Sequence, residues 1–265
     1  MQGPEQRIAL FGGVYSNHLA LAALLEDTQR RGIERVYCLG DLGAFGPYPD
    51  KVFPLLKDAR IPVVQGNYDN SIGHDLADCQ CGYTDPKDNF FARLSYDYTY
   101  QNTSAENKRW MRDLPAEIRL ELGGKRVLLC HGSPRKINEF VWETTSSSAF
   151  LERLCAAHEA DVIVTTHTGL HWHRALPRNR HFVNCGAIGR PANDGKTNVW
   201  YAILSASHEG QLSVEFVPLE YDSARLAAEM RAENLPEEFV ETIETGWWTT
   251  CLEILPAKER ARGRF

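Results

Sequence analysis

Short apolar runs recur along this chain, each closed by a glycine or a polar residue, and the first of them alternate with stretches of helical period. Ile8-Ala9-Leu10-Phe11 reads as a strand. Residues 17 to about 31 carry apolar side chains at helical spacing, with Leu21, Leu24 and Leu25 on one face and Ser16 or Asn17 placed as N-cap. Val36-Tyr37-Cys38-Leu39 is a second strand, residues 50–59 a second helix, and Ile61-Pro62-Val63-Val64 a third strand. Continuous apolar strands separated by helices predict a parallel sheet with right-handed crossovers.

The pattern then changes. Residues 69–114 are polar, aromatic and helical, with Ser104 placed to cap a helix, and an insertion at about 70–115 over the strand ends would wall or cover whatever they carry. Residues 118–122 and 126–130 form a hairpin around Gly123-Gly124. Asp161-Val162-Ile163-Val164 is another buried strand, and further strands near Phe182, Tyr201 and Val214 suggest a second sheet. Residues 1–220 therefore read as one domain. Residues 221–265 form a helical appendage, with a helix over 224–233 and another opening near Pro236. Trp247-Trp248 is expected to pack on the body of the chain, a second subunit being the alternative, so a homo-oligomer stays open.

Four of the strands end on chemistry. Gly40-Asp41, Gly66-Asn67-Tyr68-Asp69, His131-Gly132 and His167 follow the second strand, the third, the hairpin and the strand over 161–164. They offer one carboxylate, one amide oxygen and two imidazoles, ligand types that a divalent cation accepts, at the carboxyl ends where α/β sheets bind ligands.

In this order the blocks resemble the calcineurin-like metallophosphoesterases, whose signature runs D-x-H, G-D, G-N-H-D, a lone H, then G-H-x-H. Gly40-Asp41 stands for G-D, Gly66-Asn67-Tyr68-Asp69 for the third block, His131 for the lone His, and Thr166-His167-Thr168-Gly169 for the last. Asn184-Cys185-Gly186-Ala187-Ile188-Gly189-Arg190-Pro191 resembles the family's N-x-G-S-x-G-x-P loop. The resemblance covers roughly residues 7–220. It implies a four-layer α/β/β/α sandwich of two mixed sheets flanked by helices, and hydrolysis of a phosphomonoester or phosphodiester.

Three family ligands are absent. Gly13 and Tyr15 stand where the family has the Asp and His of D-x-H, and Gly169 replaces the second His of the last block. The resemblance thus implies one complete cation site, Asp41, Asn67, His131 and His167, for one divalent ion of manganese, iron, zinc or nickel, and the loss of its neighbour. Two metals about 3.5–4 Å apart act together on attacking and leaving oxygens, so a single ion implies slower hydrolysis, or a catalytically silent metal- or phosphate-binding regulator.

The remaining roles follow the same resemblance. Tyr68 takes the place of a His that contacts phosphate, and Asp69 would support His131 or another ligand, or else cap a helix; with His131 these form the catalytic set. Tyr15, Asn17 and Arg190 are assigned to the substrate side, with filling of the vacated space by the Tyr15 ring as the alternative. His18, His171 and His173 lie near the lost ligands, but the spacing from His167 to Asn184 already matches the family, which argues against His171 as a shifted replacement. Cys79 and Cys81 read as a packed loop feature.

Composition narrows the partners. With 43% hydrophobic and 24% charged residues among 265 the chain is ordinary for a globular protein, and a net charge of −6 argues against nucleic acid. The basic stretch over 258–264 reads as a solvated tail. Residues 1–7 lack a signal-peptide pattern, no segment reaches membrane-span length, and seven scattered cysteines suit a reducing compartment. These features predict a cytoplasmic protein acting on a small phosphorylated substrate, away from membranes.

Overall fold

A computed structural model describes residues 6–207 and 210–261; the N-terminal residues 1–5 and the end of the basic tail lie outside the described residues. Strands β1 (Gln6–Phe11) and β2 (Val36–Cys38) flank helix α1 (His18–Arg30). A 3-10 turn Pro49–Lys51 leads into α2 (Val52–Asp58), then α3 (Asn67–Gly73), α4 (Pro86–Asn102) and α5 (Ala105–Arg112). The hairpin β3 (Glu117–Leu122) and β4 (Lys125–Cys130) precedes α6 (Ser148–Ala157), β5 (Val162–Thr165), β6 (His171–Leu176) and β7 (Arg180–Cys185). The chain closes with β8 (Val199–Ala206), β9 (Leu212–Leu219), α7 (Ser223–Ala232), α8 (Glu237–Thr245) and α9 (Ala257–Ala261).

Two mixed sheets result, of order β2-β1-β8-β9 and β3-β4-β5-β7-β6. Strand alternation makes them a sandwich. Ile8 and Leu10 of β1 with Ala202 and Leu204 of β8 meet Val127 and Leu129 of β4, Val162 and Val164 of β5, and Val183 of β7 in one buried cluster. Their neighbours point the other way: Ala9 and Phe11 pack with Leu21, Leu24 and Phe53 of the helices on one outer face. Leu128, Ile163 and Phe182 pack on Leu151, Leu154 and Cys155 of α6 on the other. The layers are therefore α/β/β/α, as the resemblance implies.

Two expectations need correction. The strand over 61–64 shrinks to a single bridge between Cys38 and Val63, because Pro62 has no N–H to extend the ladder and offers only its carbonyl to Cys38. The late strands do not form a sheet of their own. β8 and β9 join β1, antiparallel, while β7 lies parallel to β5. Strand β6 had no sequence signal, since its polar His171, His173 and Arg174 interrupt any apolar run.

The C-terminal segment docks rather than hangs free. Leu226, Met230, Phe239, Val240 and Ile243 of α7 and α8 form a core with Phe91 of α4. Gly246 ends α8 in the left-handed region at φ 75°, after which an irregular strap buries Trp248 and Leu255 against Trp142, Leu170 and Ala192. No described helix is long and apolar enough to cross a membrane.

Candidate metal centre

The loop after β2 and the N-terminus of α3 touch backbone to backbone, and two glycines permit it. A Cβ on Gly40, at φ +84°, would lie 2.4 Å from the Gly66 nitrogen, and one on Gly66 would lie 2.4 Å from the Asp41 nitrogen. Asp69 clamps the junction: Oδ2 accepts from the N–H groups of Asp41 and Gly66, both at 2.8 Å, and Oδ1 accepts from Leu42 at 3.0 Å. Asp41 Oδ1 in turn accepts from the Tyr68 N–H at 3.0 Å. One carboxylate oxygen of Asp41 is thereby fixed by backbone, and Oδ2 is left to face the strand ends of the other sheet.

There it meets two imidazoles. His131 Nε2 lies 3.2 Å from Asp41 Oδ2 and 3.2 Å from His167 Nδ1, and one ligand atom from each of the three residues falls within 4.8 Å of the others. His131 Nδ1 is 2.6 Å from the Leu39 carbonyl, which can only accept, so the proton of the neutral ring sits on Nδ1 and Nε2 presents a lone pair. Acceptor atoms thus converge, and a proton or a cation must sit among them. The electrostatics repeat the point. Burial alone would raise the Asp41 carboxyl and lower His131, yet their mutual attraction leaves Asp41 below and His131 above the usual range. Burial, with His131 alongside, holds His167 down to about 3. Burial and the Asp41 charge push Asp69 up to about 6.

Asn67, the residue before Tyr68, offers an amide oxygen. Its Nδ2 donates to the Cys79 carbonyl at 2.9 Å and contacts Cys81 Sγ at 3.4 Å, which turns Oδ1 the other way, buried and without a partner. His167 Nε2 is likewise buried and unpartnered. The converging carboxylate and imidazoles, with an orphaned amide oxygen on the residue before Tyr68, fit a divalent cation, since a buried acceptor left unmatched costs about 1–3 kcal/mol. All four side chains are nearly closed to solvent, Asp41 at 3% and His131 at 1% exposure. Phe140 covers His167, ring centroids 4.3 Å apart.

The half that lacks ligands is filled. A Cβ on Gly13, at φ +53°, would lie 2.9 Å from Tyr15 Cζ and 2.8 Å from Ala187 Cβ, so the Tyr15 ring lies over the place of the missing Asp. A Cβ on Gly169 would lie 3.1 Å from Trp248, so the strap occupies the place of the missing His. The spare histidines stay away. His18 faces Glu229 at 3.3 Å, His171 stacks on Trp200 and Phe216, and His173 pairs with His181 at 3.0 Å.

Several assigned roles change. Tyr68 donates its hydroxyl to Ser95 Oγ at 3.0 Å, so the phenol anchors α4 instead of facing the cation position. Asp69 does not reach His131, whose Nδ1 partner is the Leu39 carbonyl; as the alternatives had it, it caps α3 and supports another ligand residue, Asp41, by accepting from its N–H. Asn17 caps α1 by accepting from the Ala20 N–H at 2.9 Å and turns its amide to the Ile188 and Gly189 carbonyls. Cys79 and Cys81 are joined in a disulfide, contrary to the reduced state expected, and the other five cysteines are free and buried. Leu39, Phe140 and Trp248 were missed. Their residue types carry no signal for this role, and only the fold brings them here.

Comparison with known proteins agrees with this picture. Residues 7–209 match the model of the calcineurin-like phosphoesterase superfamily domain. Uncharacterized protein MJ0912 of Methanocaldococcus jannaschii is 26% identical over 252 residues, 91% of this chain and 99% of that protein. The crystal structure of hypothetical protein PH1004 from Pyrococcus horikoshii superposes with TM-score 0.74 at 22% identity, over 92% of this chain and 99% of the other. That of a metallophosphoesterase from Sphaerobacter thermophilus does so with TM-score 0.69 at 25% identity, over 92% and 100%.

Proposed function

The chain belongs to the calcineurin-like phosphoesterase superfamily, and from that premise we propose that it hydrolyses a small phosphomonoester or phosphodiester with the help of one divalent cation held by Asp41, Asn67, His131 and His167. The observation that carries this is the convergence of buried ligand atoms of Asp41, His131 and His167, with Asn67 Oδ1 buried and unpartnered one residue before the Tyr68 N–H that holds Asp41. When bound, such an ion supplies Lewis acidity and lowers the pKa of a coordinated water. The protein's part is orientation. Asp69 and the Tyr68 N–H aim Asp41, Leu39 fixes the tautomer of His131, and the Cys79 carbonyl turns Asn67 so that oxygen faces inward. Phe140 and the strap keep bulk water out, which strengthens every charge interaction inside.

A silent, regulatory relative is the second reading, and one observation favours it: Tyr15 and Trp248 fill the places of the missing ligands. Metal analysis of protein purified without chelator, followed by hydrolysis of a chromogenic phosphodiester with added manganese, separates the two. One ion per chain and turnover that vanishes in Asp41→Ala support the enzyme. Bound ion without turnover across several metals and esters supports the silent relative.

A further inference from the structure

The disulfide between Cys79 and Cys81 closes a ring of three residues, and that ring holds the Asn67 side chain. Asn67 Nδ2 donates to the Cys79 carbonyl at 2.9 Å and lies 3.4 Å from Cys81 Sγ, so the two cysteines supply both contacts of the amide nitrogen. Gln80, between them, sits at φ 51°, a left-handed conformation that a residue with a Cβ keeps only where its surroundings impose it. Asp78 Oδ1 accepts from the Gln80 N–H at 2.8 Å and the Gln80 carbonyl accepts from Asn138 Nδ2 at 2.6 Å, but both bonds are exposed. The covalent link is the tie that water cannot replace. The same loop adjoins a second ligand, since the Tyr83 ring lies 5.8 Å from Phe140, the ring that covers His167.

The bond is also within reach. A cleft of about 440 Å³ is lined by both cysteines, with exposed Asp78, Gln80 and Arg93 at its rim. The other five cysteines are free and buried, and burial raises each thiol above its ordinary value. None of them is a ready partner for exchange, because the thiolate is the reacting form.

We propose that Cys79–Cys81 is a redox modification site that a dithiol reductant opens from this cleft, and that its state sets the cation affinity of the centre through Asn67. One sulfur of the dithiol, as thiolate, bonds to one cysteine sulfur while the Cys79–Cys81 bond breaks, and its second sulfur then displaces the mixed disulfide. Two electrons and two protons pass to Cys79 and Cys81, which end as thiols, and the dithiol ends as a disulfide. Without the ring Gln80 leaves the left-handed region, the Cys79 carbonyl withdraws, and the Asn67 amide turns freely. The effect on metal rests on the cation reading above, whereas the opening of the bond and the release of Asn67 are read without metal.

The test compares the full chain purified in air with the same protein reduced by dithiothreitol and freed of it by anaerobic gel filtration, so that no added thiol chelates metal. Mass analysis should show a gain of two hydrogens on reduction. Calorimetry should then show manganese affinity lower by about ten- to a hundredfold, the loss that removing an outer partner of a ligand brings. In protein stripped by chelator, NMR should show the side-chain amide protons of Asn67 exchanging faster with solvent after reduction. Glutathione disulfide should reverse both changes, which damage to the fold would not allow. The double variant Cys79→Ser, Cys81→Ser should bind manganese like reduced wild type and ignore the reductant. Cysteines 79 and 81 that remain thiols after treatment with glutathione disulfide overturn the proposal, and so does equal manganese affinity in the two forms or a reductant effect that persists in the double variant. If neither form binds manganese the cation reading fails; faster Asn67 exchange then still upholds the opening of this site, and unchanged exchange overturns it.

Discussion

The two halves of the centre are built from opposite materials. Around Asp41 three of the four side chains are placed by backbone partners: the Tyr68 N–H for Asp41, the Leu39 carbonyl for His131, the Cys79 carbonyl for Asn67. Around Gly13 the filling is aromatic, Tyr15 from the neighbouring turn and Trp248 from the C-terminal strap, with Arg190 as the charge. The strand ends keep their geometry in both. What differs is which atoms are left without partners: an amide oxygen and an imidazole nitrogen in the Asp41 half, the Ser16 hydroxyl and Arg190 Nε in the other. Sandwich geometry alone therefore does not make a cation site; the orphaned amide oxygen and imidazole nitrogen do.

The comparison breaks most sharply at Asp41. Asp41→Ala should abolish manganese binding, a fall beyond the roughly 10–100-fold that losing an outer partner of a ligand brings, and should cost about 3–5 kcal/mol in the metal-free protein by leaving His131 without its carboxylate. Metal titration and urea unfolding read the two effects. Loss of binding without loss of stability would show that the pair is not formed in the free protein.

Trp248→Ala tests the other half. It should destabilise by about 3–5 kcal/mol, as removal of a buried ring does, and leave manganese affinity within about twofold because no ligand to the ion is touched. A loss of metal equal to that of Asp41→Ala would mean that the halves are not separable.

Restoring the three ligands sharpens the contrast further. The triple substitution Gly13→Asp, Tyr15→His and Gly169→His should still bind one ion per chain, since Gly13 sits at φ +53° with Ala187 2.8 Å from any new Cβ and Gly169 faces Trp248 at 3.1 Å. Adding Trp248→Ala removes the second obstacle and should raise the stoichiometry above one. A second ion bound by the triple variant alone would show that the aromatic filling is soft.

The division is partly legible in the sequence. Asp41, Asn67, His131 and His167 each close a local apolar run, so their spacing in the chain carries their convergence, and Tyr15 as cavity filler follows from the residue it replaces. Trp248 is not legible, because its contact with Gly169 joins segments far apart in the chain and no local pattern records it. Tyr68 misleads for a similar reason: its block matches the family, but Ser95 of the insertion claims the hydroxyl. β6 escapes because half its face is polar, and the 61–64 strand is overstated because apolar periodicity does not register the missing N–H of Pro62. Asp69 reads by analogy as ligand support, whereas the three N–H groups it accepts are visible only once two loops meet.

The smallest effect is the dependence on pH, and it too should differ between the halves. Although burial works against it, Asp41 raises His131 above its ordinary value. The pair therefore stabilises the metal-free protein fully below the unfolded pKa near 6.5, and that contribution is lost as pH rises through the higher folded value. Metal-free stability should decline from slightly acid to mildly alkaline pH, by about 1.4 kcal/mol for every pH unit that separates the unfolded from the folded value. Manganese affinity should rise over the same interval, because the proton on Nε2 and the cation compete for one place. The Tyr15 half contributes nothing there: burial, with Asp41 adding, pushes its phenol far upward, and the ring stays neutral throughout. Asp41→Asn should flatten both curves, since an amide no longer holds the proton on His131, whereas Tyr15→Phe should leave them superimposed on wild type. Curves that flatten in Tyr15→Phe would place the titrating group in the aromatic half and undo the division.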